Sequence, residues 1–176
     1  MTHVILGVGS NRSWQGNDSL VLLKKACDSL GSILSDITVS SVYRTKPMYV
    51  ENQQDFYNMA LCGYVTDSIS PFILLDKIHE IEASLGRDRS KEIRNGPRSI
   101  DIDIEVFGHV SINTETLQIP HPRISERAFV LIPVLEILNE SADFIKREKY
   151  AEYLKHTGSD GVEKVLSSLD FVKIKA

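Results

Sequence analysis

The sequence predicts an α+β fold in which helices pack on an antiparallel sheet. Three observations lead to this prediction: segments that favour strands alternate with segments of helical spacing, residues 99–106 alternate polar and apolar side chains, and the length suits one compact core. The chain has 176 residues, of which 42% are hydrophobic and 25% are charged, as in ordinary globular domains. We therefore expect a single domain over residues 1–176.

The first part of the chain is predicted to form a strand, a helix and two further strands. HVILGVG (3–9) is a short apolar run ending in glycine, and apolar residues then recur at helical spacing over 20–30, after the capping residues of GNDSL. ITVSSVYRTK (37–46) and DFYNMALCGYVT (55–66) are rich in residues that favour strands. The polar stretch MYVENQQ (48–54) separates them, which indicates a hairpin with a long loop.

A second helix and a fourth strand complete the predicted core. Ser70 before Pro71 is typical of an N-cap and a first helical residue, and Gly86 is typical of a helix end. Residues 87–97 are polar and are predicted to be a loop that leads into the alternating strand. The resulting βαββαβ order favours the ferredoxin-like arrangement, in which helices pack on an antiparallel sheet.

The remaining residues are predicted to add to this core. LQI (117–119) indicates a short strand, IPHPR (119–123) a turn, and the apolar spacing over 128–138 a third helix. Residues 141–176 are predicted to be a C-terminal tail of helical or mixed structure.

Charge and cysteine usage limit the classes of partner. The formal net charge is -4 and the pI is about 5.7, so no global field recruits nucleic acid or anionic lipid. Cys27 and Cys62 lie in apolar surroundings without CxxC spacing, which indicates reduced thiols. No apolar stretch approaches the roughly 20 residues that a membrane helix needs. We expect a cytoplasmic monomer that binds neither nucleic acid nor membrane.

Carboxylates occupy every second position in the strand IDIDIEVF. Alternation predicts that Asp101, Asp103 and Glu105 face one way, and that Val106 faces the other way with the isoleucines. Asp101 and Asp103 are then about 6.6 Å apart at Cα. Like charges on one strand face repel each other, so a cation would offset the cost. Magnesium favours one or two carboxylates together with substrate phosphates, and we predict that Asp101 and Asp103 bind it.

Glu105 has a different expected role from the two aspartates. Its Cα lies about 13 Å from that of Asp101 by the same strand rise, too far for a shared metal unless the strand bends. We interpret Glu105 as a solvated strand end.

Basic residues are concentrated just before the acidic strand. Five basic and two acidic residues after Gly86 give a local charge of +3: the basic ones are Arg87, Arg89, Lys91, Arg94 and Arg98. Guanidinium groups bind phosphate oxygens in bidentate fashion, and carboxylates hold magnesium. Together they are the groups that phosphoryl transfer requires, because that chemistry depends on positioning and electrostatics. The sequence has no GxxxxGK[ST] motif, which excludes a P-loop enzyme.

The segment RNGPRSIDIDI (94–104) resembles the signature of 6-hydroxymethyl-7,8-dihydropterin pyrophosphokinases, enzymes of folate biosynthesis. Other segments resemble the family in the same order over about residues 3–140: LGVGSN, SSVYRTKPM, DFYNMAL, IEASLGR and IPHPRISERAFVLIPVLEI. The resemblance implies transfer of the pyrophosphoryl group of ATP to the pterin hydroxymethyl group, with release of AMP. It also implies two magnesium ions, brought with ATP and held by Asp101 and Asp103.

The resemblance further implies a set of site residues. Phe56 and Phe129 would sandwich the pterin ring, because aromatic faces stack on a flat heterocycle, and Asn58 would read its polar edge. The implied pterin site is completed by Thr45, Met48 and Asp101. The implied ATP site comprises His79, Glu82, Arg89, Arg94, Arg98, Ile104, His121 and Arg127. The implied catalytic residues are Arg87, Arg98, Asp101 and Asp103. Asn95 stands where some members have tryptophan.

Two other functions fit parts of the pattern. Gly9 and Ser10 resemble the Gly-Ser pair of metal-dependent nucleotidyltransferases, but Ser10 and Asp101 are 91 positions apart, whereas such pairs are close in sequence. From a different class of protein, the chain could be a ferredoxin-like regulator that binds a nucleotide without catalysis. Release of pyrophosphate would identify the first, and ATP binding without consumption the second.

Overall fold

The computed structural model describes residues 1–47, 52–91, 93, 96–139 and 144–176. Its strands are β1 (Thr2–Ser10), β2 (Ser35–Val39), β3 (Val42–Thr45), β4 (Phe56–Val65), β5 (Asp101–Phe107), β6 (Ile112–Asn113), β7 (Gln118–Ile119) and β8 (Val162–Leu166). Its helices are α1 (Ser19–Leu30), α2 (Pro71–Ser84), α3 (Ala128–Ile137), α4 (Phe144–Thr157) and α5 (Ser168–Phe171). Among the described residues, no helix is both long enough and apolar enough to cross a membrane.

Local sequence sets the ends of the first two helices. The Asp18 side chain accepts a hydrogen bond from the Val21 amide at 3.0 Å and caps α1. The Ser70 hydroxyl accepts one from the Ile73 amide at 3.2 Å, and Pro71 is the first residue of α2, as predicted. Gly86 follows the end of α2 with φ of 87°, a conformation that favours glycine. The turn at Gly86 therefore marks the point at which the basic loop begins.

The main sheet has the predicted ferredoxin-like order. Its strands run β5-β1-β4-β3-β8, with β2 also paired to β4, and all these pairs are antiparallel. The single strand predicted over 37–46 is instead β2 and β3. The two are separated at Ser40, whose hydroxyl accepts a hydrogen bond from the Ala60 amide at 2.9 Å and donates one to the Ser41 carbonyl. The Ser40 amide still donates to the Ala60 carbonyl, so the hydroxyl replaces only the backbone acceptor of the Ala60 amide at this point.

Helices cover both faces of the sheet. The first core cluster lies under α1 and α2 and includes Leu6 of β1 and Ile102 of β5. The second cluster lies under α3 and α4 and includes Ile5 of β1 and Tyr150 of α4. Neighbouring residues of one strand thus enter opposite clusters, as strand alternation requires.

A β-bulge interrupts the alternation of β5. Leu6 of β1 pairs with Ile104 and Ile5 pairs with Val106, so Glu105 is the extra residue. Glu105 and Val106 consequently both turn away from the first cluster, and Val106 packs in the second. The prediction that Val106 shares a face with the isoleucines is therefore wrong, because alternation does not continue through a bulge.

The helical or mixed tail was predicted over residues 141–176. Its described residues 144–176 form α4, β8 and α5. β8 pairs with β3 and adds a strand to the edge of the main sheet. Phe171 of α5 is 1% exposed and belongs to the first core cluster. The tail therefore contributes to the same core as the sheet.

Phe171→Ala should destabilise the protein by about 3 to 5 kcal/mol, because truncating a buried phenylalanine removes apolar burial and leaves a cavity. Leu169→Ala is the matched control, since Leu169 lies in the same helix and is 73% exposed. Urea unfolding monitored by circular dichroism measures both free energies of unfolding. Equal small losses for the two variants would contradict the docking of α5.

Candidate active site

Two glycines of β1 form the floor of a pocket on the sheet. Gly7 pairs with Asp103 of β5 and Ala60 of β4, and Gly9 pairs with Asp101 and Asn58. A Cβ at Gly9 would lie 2.9 Å from Asn58 Oδ1, closer than real Cβ contacts allow. The absence of side chains at these two positions leaves an open groove between the carboxylates of β5 and the amide of β4.

The pocket gathers most of the predicted pterin and phosphate residues. Of the residues assigned from the resemblance, the following line it: Thr45, Phe56, Asn58, Arg98, Asp101, Asp103, Arg127 and Phe129. Met48, Arg94 and Asn95 lie outside the described residues. Side chains that are distant in sequence therefore converge here because β1, β4, β5 and the start of α3 meet at one end of the sheet.

The apolar part of the pocket carries an oriented amide. Asn58 is buried, and its Nδ2 donates a hydrogen bond to Thr45 Oγ1 at 2.9 Å. This bond leaves Asn58 Oδ1 turned toward Gly9 and the pocket. The Arg127 guanidinium carbon lies 5.6 Å from the ring centre of Phe129, which also lines the pocket. A flat ring with hydrogen-bonding edges matches this lining.

The charged part of the pocket is an ion-pair network centred on Asp101. One carboxylate oxygen of Asp101 pairs with Arg87, and the other accepts a hydrogen bond from Arg98 Nη1 at 2.6 Å. Arg87 also pairs with Glu82 at 2.5 Å. The basic loop is thereby drawn against the acidic strand, as the sequence predicted.

Glu82 is the buried anchor of this network. It is 1% exposed and accepts hydrogen bonds from Arg89 Nη2 at 2.6 Å and from the Ile102 amide at 2.8 Å, besides its bond with Arg87. The resemblance to the family implied that Glu82 belongs to the ATP site. All of these contacts are to groups of the protein, so the carboxylate holds α2, the basic loop and β5 together.

The pKa values of the two aspartates shift in opposite directions. Burial would raise the pKa of Asp101, but the charges of Arg87 and Arg98 lower it below its ordinary value. Burial and the negative charge of Asp101 raise the pKa of Asp103 to about 7, and Arg127 only partly offsets this. The carboxylates of Asp101 and Asp103, which lie on the same face of β5, thus repel each other. The charge of Asp103 is only partly balanced by nearby arginine.

This surplus of negative charge fits a divalent cation. Carboxylate oxygens are the ligands that magnesium prefers, and the site needs positive charge at Asp103. Among the residues that the structure describes, no group of three or more His, Cys, Asp or Glu side chains could hold a metal ion.

Five of the predicted ATP residues that the structure describes do not line the pocket: His79, Glu82, Arg89, Ile104 and His121. The Ile104 side chain is buried in the first core cluster, on the opposite face, so only its backbone could reach a ligand here. His121 Nδ1 accepts a hydrogen bond from the Arg123 amide at 3.2 Å, and burial together with the charge of Arg127 lowers its pKa to about 4. Burial and the charge of Arg89 lower the pKa of His79. Both histidines are therefore neutral at pH 7.

The interpretation of Glu105 as a solvated strand end is wrong. The residue is 0% exposed and lines the pocket, because the bulge turns it toward the face that α3 covers. Burial, and then the charge of Asp103, raise its pKa well above the ordinary value. Its position on the acidic face was a usable signal, but the bulge was not predictable from alternation.

Asn11 is a site residue that sequence reasoning missed. It is 1% exposed and donates hydrogen bonds to Gln53 Oε1 at 3.0 Å and to the Gln54 carbonyl at 3.2 Å. Its Oδ1 accepts one from the Arg98 amide at 2.8 Å. A single amide after β1 thus ties two distant loops to the mouth of the pocket.

Ser10 is turned away from this chemistry. It is fully buried, and its hydroxyl donates to Ser19 Oγ of α1 at 3.0 Å. The residue is not among those lining the pocket. This geometry weighs against the nucleotidyltransferase interpretation, which needs Gly9 and Ser10 beside the carboxylates.

Comparison with known proteins identifies related sequences. The model of the 7,8-dihydro-6-hydroxymethylpterin-pyrophosphokinase family matches residues 5–139. A 2-amino-4-hydroxy-6-hydroxymethyldihydropteridine pyrophosphokinase of Bacillus subtilis is 47% identical over 102 residues, which is 58% of this chain and 59% of the relative. One of Methylorubrum extorquens is 35% identical over 167 residues, covering 94% of this chain and 99% of the relative. A folic acid synthesis protein of Pneumocystis carinii is 41% identical, covering 76% of this chain and 17% of its own length.

Solved structures share the fold. A Plasmodium falciparum HPPK-DHPS wild-type structure superposes with a TM-score of 0.60 at 14% identity, over 93% of this chain and 47% of that one. An HPPK-DHPS in complex with substrates gives a TM-score of 0.62 at 14% identity, over 89% of this chain and 46% of that one. At this identity the likeness concerns the fold alone.

The opposite pKa shifts of the two aspartates predict opposite effects of removing their charge from the metal-free protein. An Asp has a pKa of about 3.9 when unfolded, so Asp103 costs stability increasingly as the pH rises from about 4 through 7. Asp103→Asn should therefore raise the free energy of unfolding at pH 8 by about 1 to 3 kcal/mol, and by little at pH 4.

Asp101→Asn is the matched comparison. The lowered pKa of Asp101 contributes stability above about pH 4 that is lost as the pH falls through its folded value. This variant should thus be less stable than the wild type at pH 8. Urea unfolding in the presence of EDTA at both pH values measures the four differences, and effects of the same sign at pH 8 would contradict the assigned electrostatics.

Proposed function

The chain belongs to the 7,8-dihydro-6-hydroxymethylpterin-pyrophosphokinase family, and on this premise we propose that it transfers the pyrophosphoryl group of ATP to 6-hydroxymethyl-7,8-dihydropterin. The products are AMP and the pterin diphosphate, as a step of folate biosynthesis. One observation carries the proposal: a single pocket joins an aromatic and amide lining for a flat ring to carboxylates and an arginine for phosphates.

The apolar part of the pocket accounts for binding of the pterin. Phe56 and Phe129 offer ring faces for stacking, and Asn58, oriented by Thr45, offers an oxygen to the polar edge of the heterocycle. Thr45 and the backbone at Met48 complete the proposed edge contacts. The hydroxymethyl group then points toward the carboxylates of β5, where phosphate chemistry is supported.

The charged part of the pocket accounts for binding and activation of ATP. Asp101 and Asp103 would hold magnesium, two ions by resemblance to the family, and magnesium when bound neutralises charge on the phosphate oxygens. Arg87 and Arg98 both form ion pairs with Asp101, and their N–H groups could also donate to phosphate oxygens. Arg89, Arg94 and Arg127 are proposed to add positive charge, with His79, His121 and the Ile104 backbone near the nucleotide.

The residues of the pocket would place the pterin hydroxyl group for in-line attack on the β-phosphorus of ATP. The pterin hydroxyl oxygen bonds to the β-phosphorus of ATP, the bond from that phosphorus to the oxygen shared with the α-phosphate breaks, and the hydroxyl proton is released. Arginine N–H groups stabilise the charge that spreads over the phosphoryl oxygens. Glu82 keeps Arg87 and Arg89 in place for this role, so it acts as a positioning residue.

We propose that residues 1–176 form a single domain, because β8 extends the main sheet and Phe171 packs in the first core cluster. The cytoplasmic location, the monomeric state and the two magnesium ions remain predictions from the sequence.

The direct test mixes the protein with ATP, magnesium and 6-hydroxymethyl-7,8-dihydropterin and measures nucleotide products by chromatography. We expect AMP that forms only with the pterin present. Asp101→Asn should lower the rate by about 10² to 10³, because it removes a metal ligand and the partner of two arginines.

Asp160→Asn, at an exposed position, is the matched control, and circular dichroism at the assay temperature checks that both variants are folded. Release of pyrophosphate would indicate a nucleotidyltransferase instead. ATP binding without consumption would indicate a regulator, and unchanged turnover of Asp101→Asn would remove this carboxylate from the mechanism.

A further inference from the structure

Glu136 of α3 is the centre of a polar cluster outside the pocket, and the proposed mechanism does not use it. Its Oε2 accepts hydrogen bonds from the Ser41 amide at 3.0 Å and from the Tyr43 hydroxyl at 2.8 Å. Its Oε1 accepts one from Ser41 Oγ at 2.6 Å and one from Lys164 Nζ of β8 at 3.4 Å. One carboxylate therefore joins α3 to the start of β3 and to β8.

The donors on the β3 side of this cluster are buried. Ser41 is 1% exposed and Tyr43 is 6% exposed. Burial opposes ionisation of Glu136, but hydrogen bonds from Ser41 and Tyr43 lower its pKa below the ordinary value, so it is a carboxylate at neutral pH. Hydrogen bonds to a charged acceptor are stronger than those between neutral groups. The cluster is therefore a strong and directional link between the helix and the strand.

The two elements that Glu136 joins carry two sides of the proposed pterin subsite. Phe129 lies in the first turn of α3 and lines the pocket. β3 ends at Thr45, whose Oγ1 accepts the hydrogen bond that orients Asn58. The position of α3 relative to β3 consequently sets the spacing between the Phe129 ring and the Asn58 amide.

Apolar side chains pack α3 on the sheet. Val130, Leu131 and Val134 belong to the second core cluster. Apolar packing is non-directional, and packed helices can slide by small shear motions. Within the described residues, the first turn of α3 has no side-chain cap that would fix the end at the pocket. The hydrogen bonds of Glu136, near the other end of the helix, supply a directional restraint against such sliding.

We propose that Glu136 is a positioning residue for pterin binding, which fixes α3 against β3 and thereby sets the spacing of Phe129 and Asn58. The inference rests on the proposed function and deepens it, because it assigns control of the pterin subsite to a residue outside the pocket. Lys164 extends the link to β8, which lies beyond residues 5–139 that the family model matches. The C-terminal strand thus supports the same subsite.

The first experiment compares Glu136→Met with Glu136→Gln, two changes of similar size. Methionine removes both acceptors and leaves the buried donors of Ser41 and Tyr43 unpaired. Glutamine keeps an oxygen at the Oε2 position, and its amide group can donate to Ser41 Oγ at the other position. The Kd for 6-hydroxymethyl-7,8-dihydropterin is measured by calorimetry with magnesium and a non-hydrolysable ATP analogue. It should rise about tenfold in Glu136→Met and at most about twofold in Glu136→Gln.

Binding of the nucleotide should be affected far less. Asp101 and Asp103 lie on β5, and Glu82 with its arginine partners lies on α2 and the basic loop, which are elements other than α3 and β3. Arg127 precedes α3, but its long side chain can follow a small shift of the helix. The Kd of the ATP analogue alone should therefore stay within about threefold in both variants. Equal weakening of both ligands would overturn the proposal.

Two controls separate positioning from general stability. Phe171→Ala should destabilise the protein but leave the pterin Kd within about twofold at a temperature where the variant is folded. Arg44→Gln removes an ion pair with Glu163 that also joins β3 to β8, between side chains that are 43% and 64% exposed, and should leave this Kd unchanged. A tenfold rise in either control would overturn the proposal. So would a lower Tm of Glu136→Met with unchanged pterin affinity.

Tyr43→Phe keeps the proposal testable if Glu136→Met does not fold. It removes one hydrogen bond from the β3 side and leaves no buried donor unpaired, because Glu136 still accepts from Ser41. The pterin Kd should rise about threefold, with the Kd of the ATP analogue unchanged. An unchanged pterin Kd in the folded variant would overturn the proposal.

A double-mutant cycle tests whether Glu136 acts through Phe129. Phe129→Leu removes the stacking face and should weaken pterin binding. Because Glu136 is proposed to position that ring, Glu136→Met should weaken binding by a smaller factor in the Phe129→Leu background than in the wild type. Additive effects of the two substitutions on the Kd would contradict the positioning role.

Failure of this inference and failure of the proposed function give different results. If the wild type binds no pterin and forms no AMP, the proposed function fails, and the positioning role fails with it. If the wild type binds pterin and forms AMP while Glu136→Met binds pterin equally well, only the role of Glu136 is overturned.

Discussion

The ion pairs of Arg87 are the interaction on which the site depends. This side chain is 6% exposed and connects Glu82 of α2 to Asp101 of β5. Glu82 in turn binds the Ile102 amide, so the helix, the basic loop and the strand are fixed by one chain of charges. Removing one member would leave a buried charge without its partner, which is far more costly than losing a surface ion pair. The arginines that are proposed to bind phosphate are therefore held in position by contacts within the protein.

Strand alternation places the core residues of β5 on one face of the sheet and the residues of the proposed site on the other. Ile102 and Ile104 of β5 enter the first core cluster, while Asp101 and Asp103, which alternate with them along the strand, face the pocket. The cost of burying two like charges is concentrated at Asp103, whose pKa rises because of burial and the neighbouring aspartate. A cation and the phosphates it brings would relieve that cost. The unliganded protein thus carries at this strand an electrostatic cost that the proposed metal and phosphates would remove.

Local signals in the sequence were sufficient for the order of elements and for the charged groups. The Ser70 cap, the carboxylates of the acidic strand and the adjacent arginines are each short-range patterns. The structure contains the Ser70 cap, and it brings Arg98 against Asp101. Features that depend on strand pairing were missed. The break at Ser40 requires a partner on β4, and the burial of Glu105 follows from a bulge against β1. The anchoring contacts of Asn11 join residues about 40 to 90 positions away, beyond any local pattern.

The most direct test of the central claim is a crystal structure with a non-hydrolysable ATP analogue, 6-hydroxymethyl-7,8-dihydropterin and Mn²⁺ in place of magnesium. Anomalous scattering locates the metal independently of the protein density. The account predicts metal peaks at Asp101 and Asp103, the pterin between Phe56 and Phe129, and phosphate oxygens contacting Arg98. Metal and nucleotide bound elsewhere on the protein, with the carboxylates of β5 still paired only to arginine, would contradict it.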